Sequence, residues 1–450
     1  MVELLPAFMF LALAVLLFSG YPVAFVLGGT ALVFWLAGVA LGLVGLEAFY
    51  LVVLRIFGAV VDNLVLVAIP MFIFMGTMLE KSGVARDLLL ALQYMTRRVP
   101  GGLAVAVTLL GVVLAATTGI IGASVVMMTL LGLPVMLEAR YSPALASGTI
   151  AASGTLGILI PPSIMLIVMG DLLSISVGTL FMASLGPGLV LAGLYIAYLF
   201  IRGALTPKAA PRPAADAPPP AGRGRMALSF LPPLALIFLV LGSIFAGLAT
   251  PTEAAGVGAF GALLLAAMNR RLDRATLAEV VHRSALTGGM LFGIFVCATA
   301  FSYVFRLLGG EDLILSAMAG LGGGPWGVLA LIMALVFVLG FFFDWIEIVL
   351  IVLPVFAPII KGLDFAGHVP PDLAVAWFAT LVAINLQTSF LTPPFGFALF
   401  YMKGAAPAGL RTGAIYRGIV PFVALQLAGL AAVIAWPSIA TALPRVLAAG

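Results

Sequence analysis

The sequence predicts an all-α polytopic membrane protein built from two related halves, and three observations carry that expectation. First, 64% of its 450 residues are hydrophobic and only 8% are charged, with a mean hydropathy of +1.27. A soluble chain is about 45–50% apolar and about 25% charged, so too few polar side chains are present to coat a water-facing surface. Second, Pro161-Pro162 in the first half and Pro393-Pro394 in the second fall inside apolar runs. Third, the basic residues gather between apolar runs in clusters that a single topology reconciles. A soluble enzyme, a disordered chain and a disulfide scaffold are all excluded.

An apolar run needs roughly 20 residues to cross the hydrocarbon core. Such runs fall at 4–19, 22–44, 62–79, 186–201, 228–249, 254–269, 285–308 and 415–436. Shorter stretches at 45–61 and 172–185 read as interfacial or connecting segments. Residues 203–225 are rich in Pro, Ala and Arg and have no apolar face, so they form a solvated linker between a first half, 1–202, and a second, 226–450. The first 20 residues lack a basic lead, and no cleavable signal peptide is expected. Cys297 is the only cysteine, which excludes disulfides within the chain, and its apolar surroundings make it a small core residue. Two histidines far apart, His282 and His368, leave almost nothing for a haem or metal cluster. The net charge of +4 forms no stripe suited to nucleic acid.

Four apolar blocks are interrupted. Residues 102–137 contain Thr117-Thr118-Gly119 and Gly122-Ala123-Ser124; residues 143–170 contain Ser153-Gly154-Thr155-Leu156-Gly157 and then the first Pro-Pro pair. In the second half, 326–360 is broken around Asp344 and Glu347, and 372–403 at Asn385 to Ser389, followed by Thr392 and the second Pro-Pro pair. Proline removes a backbone donor and disrupts a helix. Unwound backbone survives at membrane depth only where protein or a water-filled cavity satisfies it. Discontinuous helices follow. The breaks come in the same order in both halves: Leu133-Pro134 precedes the first pair and Leu353-Pro354 the second, and an insertion between Lys361 and Pro371 accounts for the unequal spacing. Kinks arising independently in two spans are the competing account.

Charge fixes the topology. The linker carries Arg202, Lys208, Arg212, Arg223 and Arg225 against Asp216, which places it in the cytoplasm. Lys81, Arg86, Arg97, Arg98 and Arg140 follow spans of the first half. In the second half, Arg270, Arg271, Arg274 and Arg283 lie between two spans, and Lys403, Arg411 and Arg417 precede the last. All are cytoplasmic only if 102–137 and 326–360 are re-entrant hairpins while 143–170 and 372–403 cross. Each half then makes an odd number of crossings, so the second repeat is inverted and both termini are periplasmic. Such inverted repeats with broken helices are the architecture of secondary transporters, with the binding site where the breaks meet.

A helix interrupted in the membrane exposes carbonyls at one end and amides at the other. Carbonyls and hydroxyls suit a hard cation such as sodium; amides at helix N-termini suit an anion. The sodium ligands expected are Thr118, Gly119, Ser124, Ser153, Gly154, Thr155 and Gly157 in the first half, and Asp344, Asn385, Thr388, Ser389 and Thr392 in the second. Pro161, Pro162, Ser163, Pro393 and Pro394 are expected at the substrate or gate. Any one of these hydroxyls has helix capping as an equally good account. An intramembrane acid is costly, so Asp344 reads as ion or gate machinery, with capping of the hairpin helix as its rival. Glu253, in Thr250-Pro251-Thr252-Glu253, reads as a structural cap. No catalytic triad, phosphate-binding loop or histidine cluster is present, so no enzyme and no cofactor are expected. Without a Walker motif the energy must come from an ion gradient, with sodium as coupling ion.

Four stretches carry a family resemblance: Ala249 to Ala255, Thr118 to Ser124, Ser153 through Ser163, and Asn385 to Gly396. In this order they resemble the large membrane subunit of tripartite ATP-independent periplasmic (TRAP) transporters, over the whole chain except the linker. The resemblance implies sodium-driven uptake of organic anions, usually carboxylates, across the bacterial inner membrane by an elevator-type motion. It implies a periplasmic substrate-binding protein and a small four-helix membrane subunit, here expected as a separate polypeptide. It also aligns Thr118–Ser124 and Ser153–Gly157 with the first hairpin tip and broken helix, and Asp344 and Asn385–Pro394 with their counterparts. The Thr118-Gly-Ile-Ile-Gly tip and the long linker depart from the commoner pattern and resemble a branch handling 2-oxo, hydroxy or aromatic acids. A stand-alone sodium or proton symporter of the same architecture is the alternative. A proton-translocating or redox subunit would need mid-span relays or haem ligands that this chain lacks.

Overall fold

The computed structural model describes residues 4–118, 121–211, 222–319, 324–365, 367–393, 396–407 and 409–448, and these form twenty α-helices and no strand. The first half opens with α1 (Leu5–Leu17), α2 (Val23–Ala40) and α3 (Ala48–Ile56), the last extended by a π-helical turn over Phe57–Val61. The Asn63 side chain then accepts from the Val65 amide at 3.0 Å and starts the 3-10 turn that leads into α4 (Ala68–Lys81). Gly83, at φ +79, turns the chain into α5 (Val84–Thr96), which buries Val84, Leu88, Leu89 and Leu92 and exposes Arg86 and Asp87.

Next come α6 (Gly102–Thr118) and α7 (Ile121–Glu138), which pack against each other. After α8 (Pro143–Thr155) and a 3-10 turn, the chain is non-helical through Pro161 and Pro162, joined by a cis peptide bond, and resumes as α9 (Ile164–Leu172). The half closes with α10 (Val177–Leu205).

The second half contains α11 (Gly222–Phe245), α12 (Pro251–Met268), α13 (Arg274–Leu307) and α14 (Gly310–Ala319). Then α15 (Gly324–Leu339) and α16 (Trp345–Lys361) form a pair, and α17 (Ala374–Leu391) and α18 (Phe397–Ala405) flank a break. The chain ends with α19 (Thr412–Ala435) and α20 (Ser438–Ala448). Among the described residues, eight helical segments are long and apolar enough to cross a membrane.

Three boundaries differ from the hydropathy reading. From Val177 the stretch 172–185 belongs to α10, because Ser176 caps it (Thr179 amide to Oγ, 3.4 Å) and the helix runs unbroken to Leu205. The run at 285–308 begins eleven residues earlier in the structure, at Arg274, since Asp273 receives the Thr276 amide at 2.7 Å. That same amide holds the exposed Asp273 carboxyl below the usual carboxylate range. The linker is shorter than 203–225, helical backbone reaching Leu205 on one side and starting at Gly222 on the other. At Ser176 and Asp273 it is the cap, beyond the apolar run, that sets where the helix starts.

Packing places the two interrupted helices at the centre. Residues 145–170 and 376–391 are buried throughout, as expected for helices apolar all round. The helix pair α6–α7 lies on α8, and α15–α16 lies on α17. Contacts between the halves exchange: α4 packs on α12 and α13 on α2, α7 on α18 and α16 on α9, and α8 on α19 and α17 on α10. The α8–α19 crossing is the tightest kind, because a Cβ on Gly148 would collide with the Gly418 carbonyl and one on Gly418 with that of Ala144.

Candidate functional site at the helix breaks

The first break is enclosed by α6 and α7. Ser153, fully buried, donates to Thr108 Oγ1 of α6 at 3.2 Å. Gly111 of α6 faces it so closely that a Cβ there would stand 2.7 Å from Ser153 Cβ. Gly154 makes the same approach to α7, its absent Cβ falling 2.6 Å from Val125. Gly157 lies between the two arms, its Cβ position 3.4 Å from Ala115 Cα and 3.7 Å from Ser124 Oγ. Glycine thus lets backbone meet backbone where the helix unwinds. Ser163 closes the break by donating to the Ile158 carbonyl at 2.9 Å, beside buried Pro161 and Pro162.

The second break uses different groups. Asn385 donates from Nδ2 to the Met333 carbonyl of α15 at 2.6 Å. Gly340 ends α15 directly against Ser389, whose hydroxyl occupies the space a Cβ would need. Asp344 caps α16 in a reciprocal box: its carboxylate accepts from the Trp345 amide at 2.8 Å, and its own amide donates to Glu347 at 3.2 Å. The capping account of Asp344 is therefore the one its hydrogen bonds express. Thr250 does the same for α12, its hydroxyl accepting from the Glu253 amide at 3.2 Å and its own amide donating to the Glu253 carboxylate at 2.8 Å.

Gln387 joins the two breaks. Its amide nitrogen lies 3.3 Å from Thr155 Oγ1 and 3.4 Å from the Tyr195 hydroxyl, while its oxygen, also buried, has no hydrogen-bond partner among the described residues. Thr108, Gln387 and Tyr195 carry no site signal in the sequence. Their partners lie 45, 232 and 192 residues away in the chain, a separation no local pattern reveals.

The hydroxyls share one geometry. Thr155 donates to Ala152 O, Thr388 to Ile384 O, Ser389 to Leu386 O and Thr392 to Thr388 O, all at 2.8–2.9 Å. A hydroxyl has one proton and two lone pairs. Back-bonding commits the proton to the helix and leaves oxygen lone pairs for another donor or a cation. Thr118 ends α6, and its side chain, together with Gly119 and Pro394, lies outside the described residues. Ser124 is buried in α7, and Pro393 is exposed beyond the end of α17.

A cavity of about 350 Å³ reaches the first hairpin tip, lined by Gly122 and Ala123 of α7, Thr77 and Glu80 of α4, Arg283 of α13 and Tyr401 of α18. Arg283 and Glu80 meet across it at 3.3 Å, and one turn on, Lys81 pairs with Glu279 at 2.5 Å.

The family model for the DctM component of tripartite ATP-independent periplasmic transporters matches residues 10–439. A C4-dicarboxylate TRAP transporter large permease protein of Pseudomonas aeruginosa is 31% identical over 85% of this chain and 87% of its own length. An ectoine/5-hydroxyectoine TRAP large permease protein of Ruegeria pomeroyi is 30% identical, over 83% of this chain and 85% of its own length. An isethionate TRAP permease protein of Oleidesulfovibrio alaskensis is 29% identical, over 82% of this chain and 56% of its own length. Among solved structures, the YdaH transporter of Alcanivorax borkumensis superposes with a TM-score of 0.61 at 14% identity, over 88% of this chain and 89% of that one, a likeness of fold alone. The chain belongs to the DctM-component family of TRAP transporters, as a large permease subunit of the inner membrane.

Proposed function

We propose that this subunit carries a small organic anion inward together with sodium, binding both at the paired helix breaks. The observation that carries the reading is the set of back-bonded hydroxyls at 155, 388, 389 and 392, the first three buried and the last half-buried, whose protons are already committed to the helix. Oxygen donors of this kind suit a hard cation. The amide starts of α9 and α18 suit an anion. The sodium ligands are the residues named from the sequence in both halves, with Asp344 contributing lone pairs its cap leaves open.

The helix pairs α6–α7 and α15–α16 are re-entrant hairpins of two inverted repeats, 1–202 and 226–450, with the linker in the cytoplasm and both termini periplasmic. The exchange of contacts between halves supports this, since an inverted repeat generates pairings of that form. Hairpins and broken helices move as one body against a scaffold that includes α2, α4, α12 and α13. A small membrane subunit and a periplasmic binding protein complete the system. Relatives are named for a C4-dicarboxylate, ectoine and isethionate, so the substrate is left at the level of a small organic acid, with 2-oxo, hydroxy and aromatic acids to be tried first.

The test is uptake in proteoliposomes containing this chain and its small subunit, with a labelled 2-oxo acid and the binding protein. Uptake requiring both sodium and the binding protein is the expected result. Uptake driven by a proton gradient without sodium overturns the cation assignment, and uptake without the binding protein overturns the tripartite reading.

A further inference from the structure

A second cavity, of about 500 Å³, lies away from the helix breaks, where α9 and α16 face α13 and the turn before α4. Arg306 from the last turn of α13 and Lys361 from the last turn of α16 both line it. The acid in its wall is Asp171, and that carboxylate is engaged elsewhere: it accepts from Asn63 at 2.7 Å, and Asn63 is itself fixed by donating to the Ala59 carbonyl at 3.2 Å. Among the described residues Lys361 enters no ion pair, and Arg306 has only Glu311, at 4.0 Å with both side chains partly exposed. An exposed pair at that distance contributes little and leaves the guanidinium open to another anion. Ser302 also lines the cavity, and its hydroxyl makes no hydrogen bond among the described residues.

We propose that this cavity is an anion-capture site, which holds the carboxylate or sulfonate head of a small organic acid between Arg306 and Lys361 before it reaches the breaks. The volume suits a small-molecule ligand. Two cations against one hydrogen-bonded carboxylate give the walls a net positive charge, and a low-dielectric cleft concentrates ions of the opposite sign. In the orientation proposed above, the ends of α13, α9 and α16 all lie on the periplasmic side, where substrate is delivered. The site thus rests on the transport reading and deepens it. The competing account is that Arg306 and Lys361 merely complement the carbonyl ends of their helices. That account gives the cavity no preference for anions.

Charge-selective labelling separates the two. In full-length protein with its small subunit and Cys297→Ser, Thr299→Cys places a single thiol in the cavity wall. Its reaction with an anionic sulfonatoethyl and a cationic trimethylammonioethyl methanethiosulfonate is followed in right-side-out and inside-out vesicles, each rate scaled to a free thiol. The anionic reagent is expected to react about tenfold faster, from the periplasmic face. Arg306→Gln with Lys361→Gln should bring the ratio near unity, whereas Lys361→Arg should preserve it. If the double variant does not fold, Lys361→Gln alone should lower the ratio part of the way. A ratio unaffected by neutralisation, a cationic preference, no labelling, or labelling from the cytoplasmic face alone overturns the site. These rates need neither sodium nor a binding protein, so loss of the coupling mechanism would not alter them. In uptake, single neutralisation should raise KM about fivefold and leave kcat within about twofold.

Discussion

Both breaks enclose buried polar residues but are fastened differently. At the first, the fastening is neutral and close: a hydroxyl pair, Ser153 with Thr108, and glycines at 111, 154 and 157 that bring three backbones together. At the second, it is a side-chain amide on a main-chain carbonyl, Asn385 on Met333, with the Asp344–Glu347 box at the start of α16. Neutral close packing tolerates little added volume, whereas an amide–carbonyl bond tolerates little loss of its donor. Breaks of similar layout can thus depend on different contacts.

Asn385→Ala should have the largest effect, because it orphans the buried Met333 carbonyl. A cost of about 1–3 kcal/mol is expected, with transport falling at least about tenfold. Thermal unfolding and uptake read both, and near-normal uptake would remove the distinction between the breaks. Gly340→Ala comes next: the new methyl displaces Ser389 and should cost about 1–3 kcal/mol. Adding Ser389→Gly should recover most of that, and strict additivity of the two changes would show that they do not meet.

Thr388→Val and Thr155→Val compare the back-bonded hydroxyls directly. Each should raise the half-saturating sodium concentration about fivefold, while Thr155→Ser, which keeps the oxygen, should not. A shift in only one half would place the cation sites unequally. Ser153→Ala is the mildest change, removing one neutral hydrogen bond at about 0.5–1.5 kcal/mol, visible in thermal unfolding.

Much of this layout is legible in the sequence, and the reason is local. Proline and glycine act on the residues beside them, so the interruptions near 118, 156 and 392 are written where they occur, while the one before α16 shows in Asp344 and Glu347. The ends of α10 and α13 are less legible, since hydropathy marks the apolar run while Ser176 and Asp273 mark the helix. The fastenings are not legible at all. Asn385 reads as an amide beside a break, but its acceptor is a main-chain oxygen on another helix, and a carbonyl has no letter. Gln387 lies inside the break from Asn385 to Ser389, yet only three-dimensional structure sets it against Thr155 and Tyr195.

The glycine crossing of α8 with α19 bears on how the chain is made. Gly148 and Gly418 touch through backbone, yet roughly 270 residues of synthesis separate them. When α8 enters the membrane, its partner has not been translated, and the groove cut for it stands empty until the final tenth of the chain emerges. The early half must therefore wait, half-assembled, for α19. A chain stopped before residue 412 lacks the surface on which its first interrupted helix closes.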